Sequence, residues 1–230
     1  KKYLYQIVSN NNGIDVDRFD YIMRDINMIG LNYGIEYERI MNKSKIIDHE
    51  IHYSEKIKTH IEDFFRIRFI MYKEVYNHHA VRSIEFMMKD FITKIEPIFG
   101  IKEIVITDHW DKFIELTDSI TDLINFLPQN QIILDLIGIM YRIKTRNIYK
   151  SIGQIITENY YTIHVPSTNL IIDTVHIKYY GNESCKYYTN CKKMISRIKN
   201  DSLKDEFITT IYYKDKKYKT EAENIFNSIK

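Results

Sequence analysis

Between Gly34 and Pro97 the chain contains neither glycine nor proline. These are the two strongest breakers of regular structure, so the stretch is built for long, uninterrupted elements. Within it Ile61, Phe64, Phe65, Phe69, Tyr72, Tyr76, Ala80 and Ile84 recur at helical spacing. The spacing predicts one very long helix, or two nearly continuous ones, over 57–94. A helix of that length must be buried along much of its surface, so it is expected to traverse the centre of the fold.

A shorter helix is predicted just upstream. Gly13 can adopt backbone angles closed to other residues, Asp15 is a good N-cap, and Gly30 suits the position after a helix end. A helix between them would be roughly 22 Å long at 1.5 Å per residue. Phe19, Ile22, Met23, Ile26 and Ile29 fall on one side, the stripe of a core-facing helix. Asp17, Tyr21 and Asp25 follow one another at four-residue spacing opposite that stripe, flanked by Arg18 and Arg24. Such a row could engage a metal through one carboxylate, a sugar hydroxyl through another and phosphates through arginine. A solvated face with acids near the helix start would show the same spacing.

Further helices are predicted over 110–126 and 130–142, and again over 204–213 and 221–229. Between these pairs the pattern changes. Tyr160–Val165 and Leu170–Ile177 are rich in β-branched and aromatic residues and bounded by Pro166 and Gly181, as strands are. The chain therefore reads as mainly α, with a helical lobe over 1–150 and a smaller mixed α+β lobe over 151–230. No run of eighteen apolar residues is present, so no membrane partner is expected. Cys185 and Cys191 are the only cysteines, too few for a disulfide framework or a four-thiolate zinc site. They fit thiols in a reducing compartment, cytoplasmic or nuclear. The sequence opens on Lys1 rather than methionine, so a piece of a longer protein is expected. The net charge of +2 excludes an overwhelming nucleic-acid field and leaves room for local patches. One such patch lies between 176 and 220, where eleven Lys/Arg face five Asp/Glu among several tyrosines. Basic residues among aromatics could bind single-stranded nucleic acid, and an overall bias toward Lys, Ile, Asn and Tyr gives the same composition.

The long helix carries a second row, Arg68, Tyr72 and Tyr76 at four-residue spacing and His79 three further on. That face offers a guanidinium, two phenols and an imidazole, a set that tyrosines packed between helices would also present. His78 and His79 cannot share a metal ion, because adjacent helical residues point about 100° apart. The order His-Asp occurs nowhere in the chain.

Asn12-Gly13-Ile14-Asp15-Val16-Asp17-Arg18-Phe19-Asp20-Tyr21, with Arg24-Asp25, Gly30-Leu31 and Tyr37-x-Arg39, resembles the SAM- and HD-domain deoxynucleoside triphosphate triphosphohydrolases just after their HD core motif. Arg68 through Tyr76-Asn77-His78-His79 to Asp90, and Tyr141 through Arg146-Asn147-Ile148-Tyr149-Lys150, resemble later segments of that family in order and spacing. The resemblance implies the C-terminal portion of an HD-type helical lobe and hydrolysis of a dNTP to deoxynucleoside and tripolyphosphate. It implies a divalent or transition metal ion, with Asp17 as one ligand and the remaining ligands, the catalytic histidine included, upstream. One carboxylate cannot hold such a metal in a defined geometry, so this chain is expected not to hydrolyse nucleotides by itself. The resemblance also assigns Arg18 (a lysine in the family) to phosphates, Tyr21 and Asp25 to the sugar, Arg68 to phosphate, Tyr76 to the deoxyribose face, and Asn77 to the position of a family glutamine. GTP or dNTP effectors bound between subunits would meet Arg39, Lys56, His79, Arg146 and Lys150. Ser54, Glu74 and His79 replace family cations, so that effector control is expected to be weakened. A homo-oligomer, dimer or tetramer, is implied. A degenerate member that keeps the fold without catalysis would bear the same residues.

Overall fold

A computed structural model describes residues 1–107, 109–157, 169–189, 194–196 and 204–229, the side chains of 194–196 excepted. The helices are α1 (Lys2–Val8), α2 (Val16–Met28), α3 (Tyr37–Asn42), α4 (Lys58–Ile70), α5 (His79–Phe99), α6 (Ile101–Ile106), α7 (Trp110–Phe113), α8 (Ile120–Leu123), α9 (Gln131–Lys144) and α10 (Lys219–Ile229). The strands are β1 (Ser44–Ile47), β2 (Glu50–Ser54), β3 (Lys150–Thr157), β4 (Leu170–Ile177), β5 (Lys186–Tyr188), β6 (Met194–Ser196) and β7 (Glu206–Tyr213). The described chain is thus mainly helical, with two small sheets ordered β1-β2-β5-β6 and β3-β7-β4.

The chain forms two compact units. Residues 1–77, 155–162 and 174–209 make the first, and residues 78–154, 163–173 and 210–230 the second. The core of the first gathers Phe19, Ile22 and Ile26 of α2 with Ile61, Phe64, Phe65 and Ile67 of α4 and Tyr179 and Tyr187. The second holds three smaller clusters, centred on Phe91 and Leu136, on Met87 and Tyr149, and on Ile211 and Ala222.

The α2 helix begins and ends where its sequence says. The Asp15 carboxylate accepts from the Arg18 backbone N–H at 3.0 Å, and Gly30 turns the chain at φ +73° so that Leu31 N–H donates to the Ile26 carbonyl at 3.0 Å. Ile29, counted in the apolar stripe, lies past the last turn and is exposed. The long helical stretch resolves into two helices. After α4 the backbone widens into a π-helical turn, Met71–Tyr76, and Asn77 closes it by donating from both backbone N–H (3.1 Å) and side-chain Nδ2 (2.8 Å) to the Tyr72 carbonyl. His78 is then extended at ψ 137°, which separates the turn from α5.

Two expectations are corrected. The predicted helix over 110–126 is broken into α7, α8 and a 3-10 turn at Ile124–Phe126. The cause is Thr117-Asp118-Ser119: Thr117 and Ser119 hydroxyls bond each other at 2.7 Å, and Thr121 Oγ1 donates to the Asp118 carbonyl, so short polar side chains compete with the helical ladder. Residues 204–213, expected to be helical, contain β7, the middle strand of its sheet. The run Phe207-Ile208-Thr209-Thr210-Ile211-Tyr212-Tyr213 is β-branched and aromatic, and Ile208 to Tyr212 are buried on both faces, where helical periodicity carries no information. Leu170–Ile177 is β4 as expected, whereas the strand predicted at Tyr160–Val165, and Cys191, lie outside the described residues. Cys185 is buried. The hairpin β1–β2 had no predicted counterpart. It turns on Asp48 and His49, both at positive φ (47° and 62°), the geometry of a two-residue hairpin turn.

Candidate functional site

Helix α2 and the π-helical turn that follows α4 bring together four of the residues singled out in the sequence. Tyr76 Oη donates to Asp25 Oδ2 at 2.7 Å, and the Tyr21 and Tyr72 hydroxyls share a hydrogen bond of 3.1 Å. The Tyr72 and Tyr76 rings meet edge to face at 5.2 Å, and Tyr21 lies 6.2 Å from Tyr76. Three phenols and a carboxylate therefore form one partly buried wall. Burial is the main force that raises the pKa of Tyr21 and of Tyr76 above the ordinary tyrosine value; the next causes are the Tyr72 hydroxyl for the first and the Asp25 carboxylate for the second.

Beside the wall sit two guanidinium groups. The Arg68 guanidinium covers the Tyr72 ring at 5.1 Å and donates through Nη1 to the carbonyls of Lys178 and Tyr179, both at 3.3 Å. Its Nε is buried and has no hydrogen-bond partner among the described residues. Burial lowers its pKa, and the nearby positive charge of Arg18 pushes the same way, while Tyr72, Tyr21 and Asp15 oppose them. Arg18 pairs through Nη1 with Asp15, whose carboxylate also accepts from the Asn10 backbone N–H at 2.9 Å. A half-buried cation thus stands next to a second cation, an arrangement that favours a nearby anion.

The wall is fastened from far along the sequence. A Cβ on Gly181 would lie 2.2 Å from the Asn12 carbonyl carbon, so residues 10–14 and the 178–183 segment touch backbone to backbone. Glu183 N–H donates to the Asn11 carbonyl at 3.1 Å. Asp205 secures the same segment, accepting from Tyr179 N–H at 2.9 Å and facing His176 Nε2 at 2.9 Å. Sequence reasoning missed Gly181 and the Lys178 and Tyr179 carbonyls. Nothing local in the sequence marks a partner so distant.

The remaining expected positions are more scattered. Asn77 spends its amide on the Tyr72 carbonyl, so its Nδ2 closes a helix turn. Asp17 is exposed at the start of α2, and among the described residues no three His, Cys, Asp or Glu side chains converge on a metal-sized space. The described residues therefore do not compose a metal centre; Asp17 is one carboxylate without companions. In the first unit Arg39 is exposed, 3.7 Å from Glu36, and Lys56 is exposed in a 3-10 turn. In the second, His79 opens α5, and its pKa is lowered by burial, then by the His78 and Lys150 charges. Arg146 is a left-handed turn residue (φ 59°) and Lys150 is the first residue of β3, because α9 ends at Lys144. Lys150 borders a cavity of about 620 Å³ with Arg142, Lys214, Lys216 and Lys219.

No family model matches the chain. Individual proteins do. The chain is 36% identical over 176 residues to an HD domain-containing protein of Acanthamoeba polyphaga mimivirus, a match covering 69% of this chain and 38% of that protein. It is 32% identical over 157 residues to the Dictyostelium discoideum homolog of deoxynucleoside triphosphate triphosphohydrolase SAMHD1, covering 68% and 30%. Against SAMHD1 of Mus musculus the identity is 30% over 179 residues, covering 67% and 27%. These similarities place the chain among HD-domain proteins. Within that class it belongs to the SAM- and HD-domain deoxynucleoside triphosphate triphosphohydrolase family. The matches span between 26% and 38% of the relatives' length.

Proposed function

We propose that the chain is the nucleotide-holding portion of a metal-dependent dNTP triphosphohydrolase and that it does not complete hydrolysis alone. The observation that carries this reading is the convergence of Tyr21, Tyr72, Tyr76 and Asp25 beside Arg68 and Arg18. Asp25, with Oδ2 engaged by Tyr76 and Oδ1 3.5 Å from Arg24 Nε, accepts from a sugar 3′-hydroxyl through a remaining lone pair, since an ionised carboxylate only accepts. The Tyr76 ring packs on the sugar face and leaves no room for a 2′-hydroxyl, which sets deoxyribose apart from ribose. Arg68, whose Nε has no partner among the described residues, and Arg18 take the phosphates, Arg18 by exchanging Asp15 for the ligand. In the family pattern Asp17 is a metal ligand, and this chain contributes that single donor. On the same reading, residues 1–150 are the C-terminal part of an HD-type helical lobe and residues 151–230 a small α+β lobe.

The test is calorimetric titration of the purified chain with dGTP and GTP, alongside an assay for tripolyphosphate with Mn²⁺ or Mg²⁺. The expected result is binding that favours dGTP, without release above background. Tripolyphosphate release would overturn the claim that other parts are needed, and equal or absent binding of both nucleotides would overturn the wall.

A second reading concerns regulation and assembly. The basic cavity of Arg142, Lys150, Lys214, Lys216 and Lys219 suits a polyphosphate, so we propose a nucleotide effector there and a dimer or tetramer that forms around it. Light scattering with and without GTP tests it; an unchanged mass would sink it.

A further inference from the structure

We infer that Tyr72 is a specificity-determining, positioning residue that couples the phosphate end of the nucleotide wall to its sugar end. The inference rests on the nucleotide reading above and deepens it.

Tyr72 touches Arg68 at one end of the wall and both Tyr76 and Tyr21 at the other. Its ring lies under the Arg68 guanidinium at 5.1 Å and edge-on to Tyr76 at 5.2 Å and 86°, and its hydroxyl shares a 3.1 Å hydrogen bond with Tyr21. Its backbone is held as firmly. In the π-helical turn its carbonyl accepts twice from Asn77, at 3.1 and 2.8 Å. A widened turn of this kind costs helical regularity and is retained where side chains must be placed out of α-helical register. Here Tyr72 lies against Arg68 on one side and Tyr76 on the other. The two ends of Tyr72 do different work: the ring stacks a cation whose other contacts among the described residues are two carbonyls at 3.3 Å, and the hydroxyl bonds the phenol of Tyr21.

That division makes the proposal testable on the 230-residue chain. Calorimetric titrations with dGTP and with sodium tripolyphosphate would be run on wild type, Tyr72→Phe and Tyr72→Leu. Tyr72→Phe keeps the ring and loses the hydroxyl, so dGTP affinity should fall about three- to tenfold while tripolyphosphate affinity stays within about twofold. Tyr72→Leu loses both, so both affinities should fall. In ¹³C-tyrosine NMR, Tyr21 should titrate at lower pH in Tyr72→Phe, because a hydrogen bond that favours its neutral form is gone. An unchanged dGTP affinity in Tyr72→Phe overturns the inference. So does an equal loss for both ligands in that variant, which would mark Tyr72 as a structural support only. A wild-type chain that is folded and binds tripolyphosphate without preferring dGTP to GTP refutes the sugar wall itself, and is told apart from failure of Tyr72 because no variant enters the comparison.

Discussion

A single hydrogen bond, from Tyr76 to Asp25, decides whether two residues from different helical segments act together. Tyr76→Phe removes the donor and leaves a partly buried carboxylate oxygen without its phenol. The expected cost is about 1–2 kcal/mol, read as a lower urea midpoint, with weaker dGTP binding. The same tyrosines set an alkaline limit. Because Tyr21 and Tyr76 keep their protons in the folded state above the ordinary tyrosine pKa, their contribution is complete below about pH 10. It is lost as pH rises beyond that, since the unfolded chain ionises first. Urea unfolding between pH 9 and 11 should show stability falling, less steeply in Tyr76→Phe than in wild type. At this scale the sequence was legible where chemistry repeats at four residues: Asp17, Tyr21 and Asp25 on one helix, Arg68, Tyr72 and Tyr76 on the other. It was silent on which hydroxyl bonds which, because those pairings cross between helices. Asn77 shows the limit well, since an amide beside tyrosine fits a ligand contact and a helix terminator equally.

Elements were legible when they face the core on one side. Helix α2 follows from its cap, its stripe and its glycine, and α9 starts at Asn130, whose Oδ1 accepts from Ile133 N–H at 3.0 Å. Strand β7 was misread because buried β-branched residues on both faces erase the alternation that identifies a strand. The hairpin β1–β2 escaped because its turn uses Asp48 and His49 in place of the usual Asn-Gly. Hairpin and neighbours are joined by a charge cluster. Glu50, first in β2, bonds Lys186 of β5 and Lys2 of α1, and these contacts, the Lys186 bond foremost, hold its carboxyl down to about 2. A depressed carboxyl pKa contributes stability that is whole above the unfolded value and disappears as pH falls through the folded one. Wild type should therefore lose stability relative to Glu50→Gln between about pH 4.5 and 2, with the two curves converging at the acid end. Curves that stay parallel throughout would contradict the pairing. At the end of α5, Gly100 has φ 59°, so Gly100→Ala should cost about 1 kcal/mol by calorimetric melting, with no change in nucleotide binding.

Across the whole molecule, the first unit is assembled from segments separated by long intervals of sequence. Of its glycines, Gly181 tolerates a side chain least, since a Cβ there would collide with the Asn12 backbone rather than with a flexible side chain. Gly181→Ala should destabilise by about 1–3 kcal/mol and weaken dGTP binding, because residues 10–14 lead straight into α2. Thermal melting and titration of the same sample would separate the two effects. Nothing periodic or compositional announces such a contact. The closure of 12 against 181 also fixes an order of events during synthesis. The segment that secures the start of α2 leaves the ribosome roughly 170 residues after it, about 8–34 s later at 5–20 residues per second, so the wall stays unfastened long after its own helices have emerged.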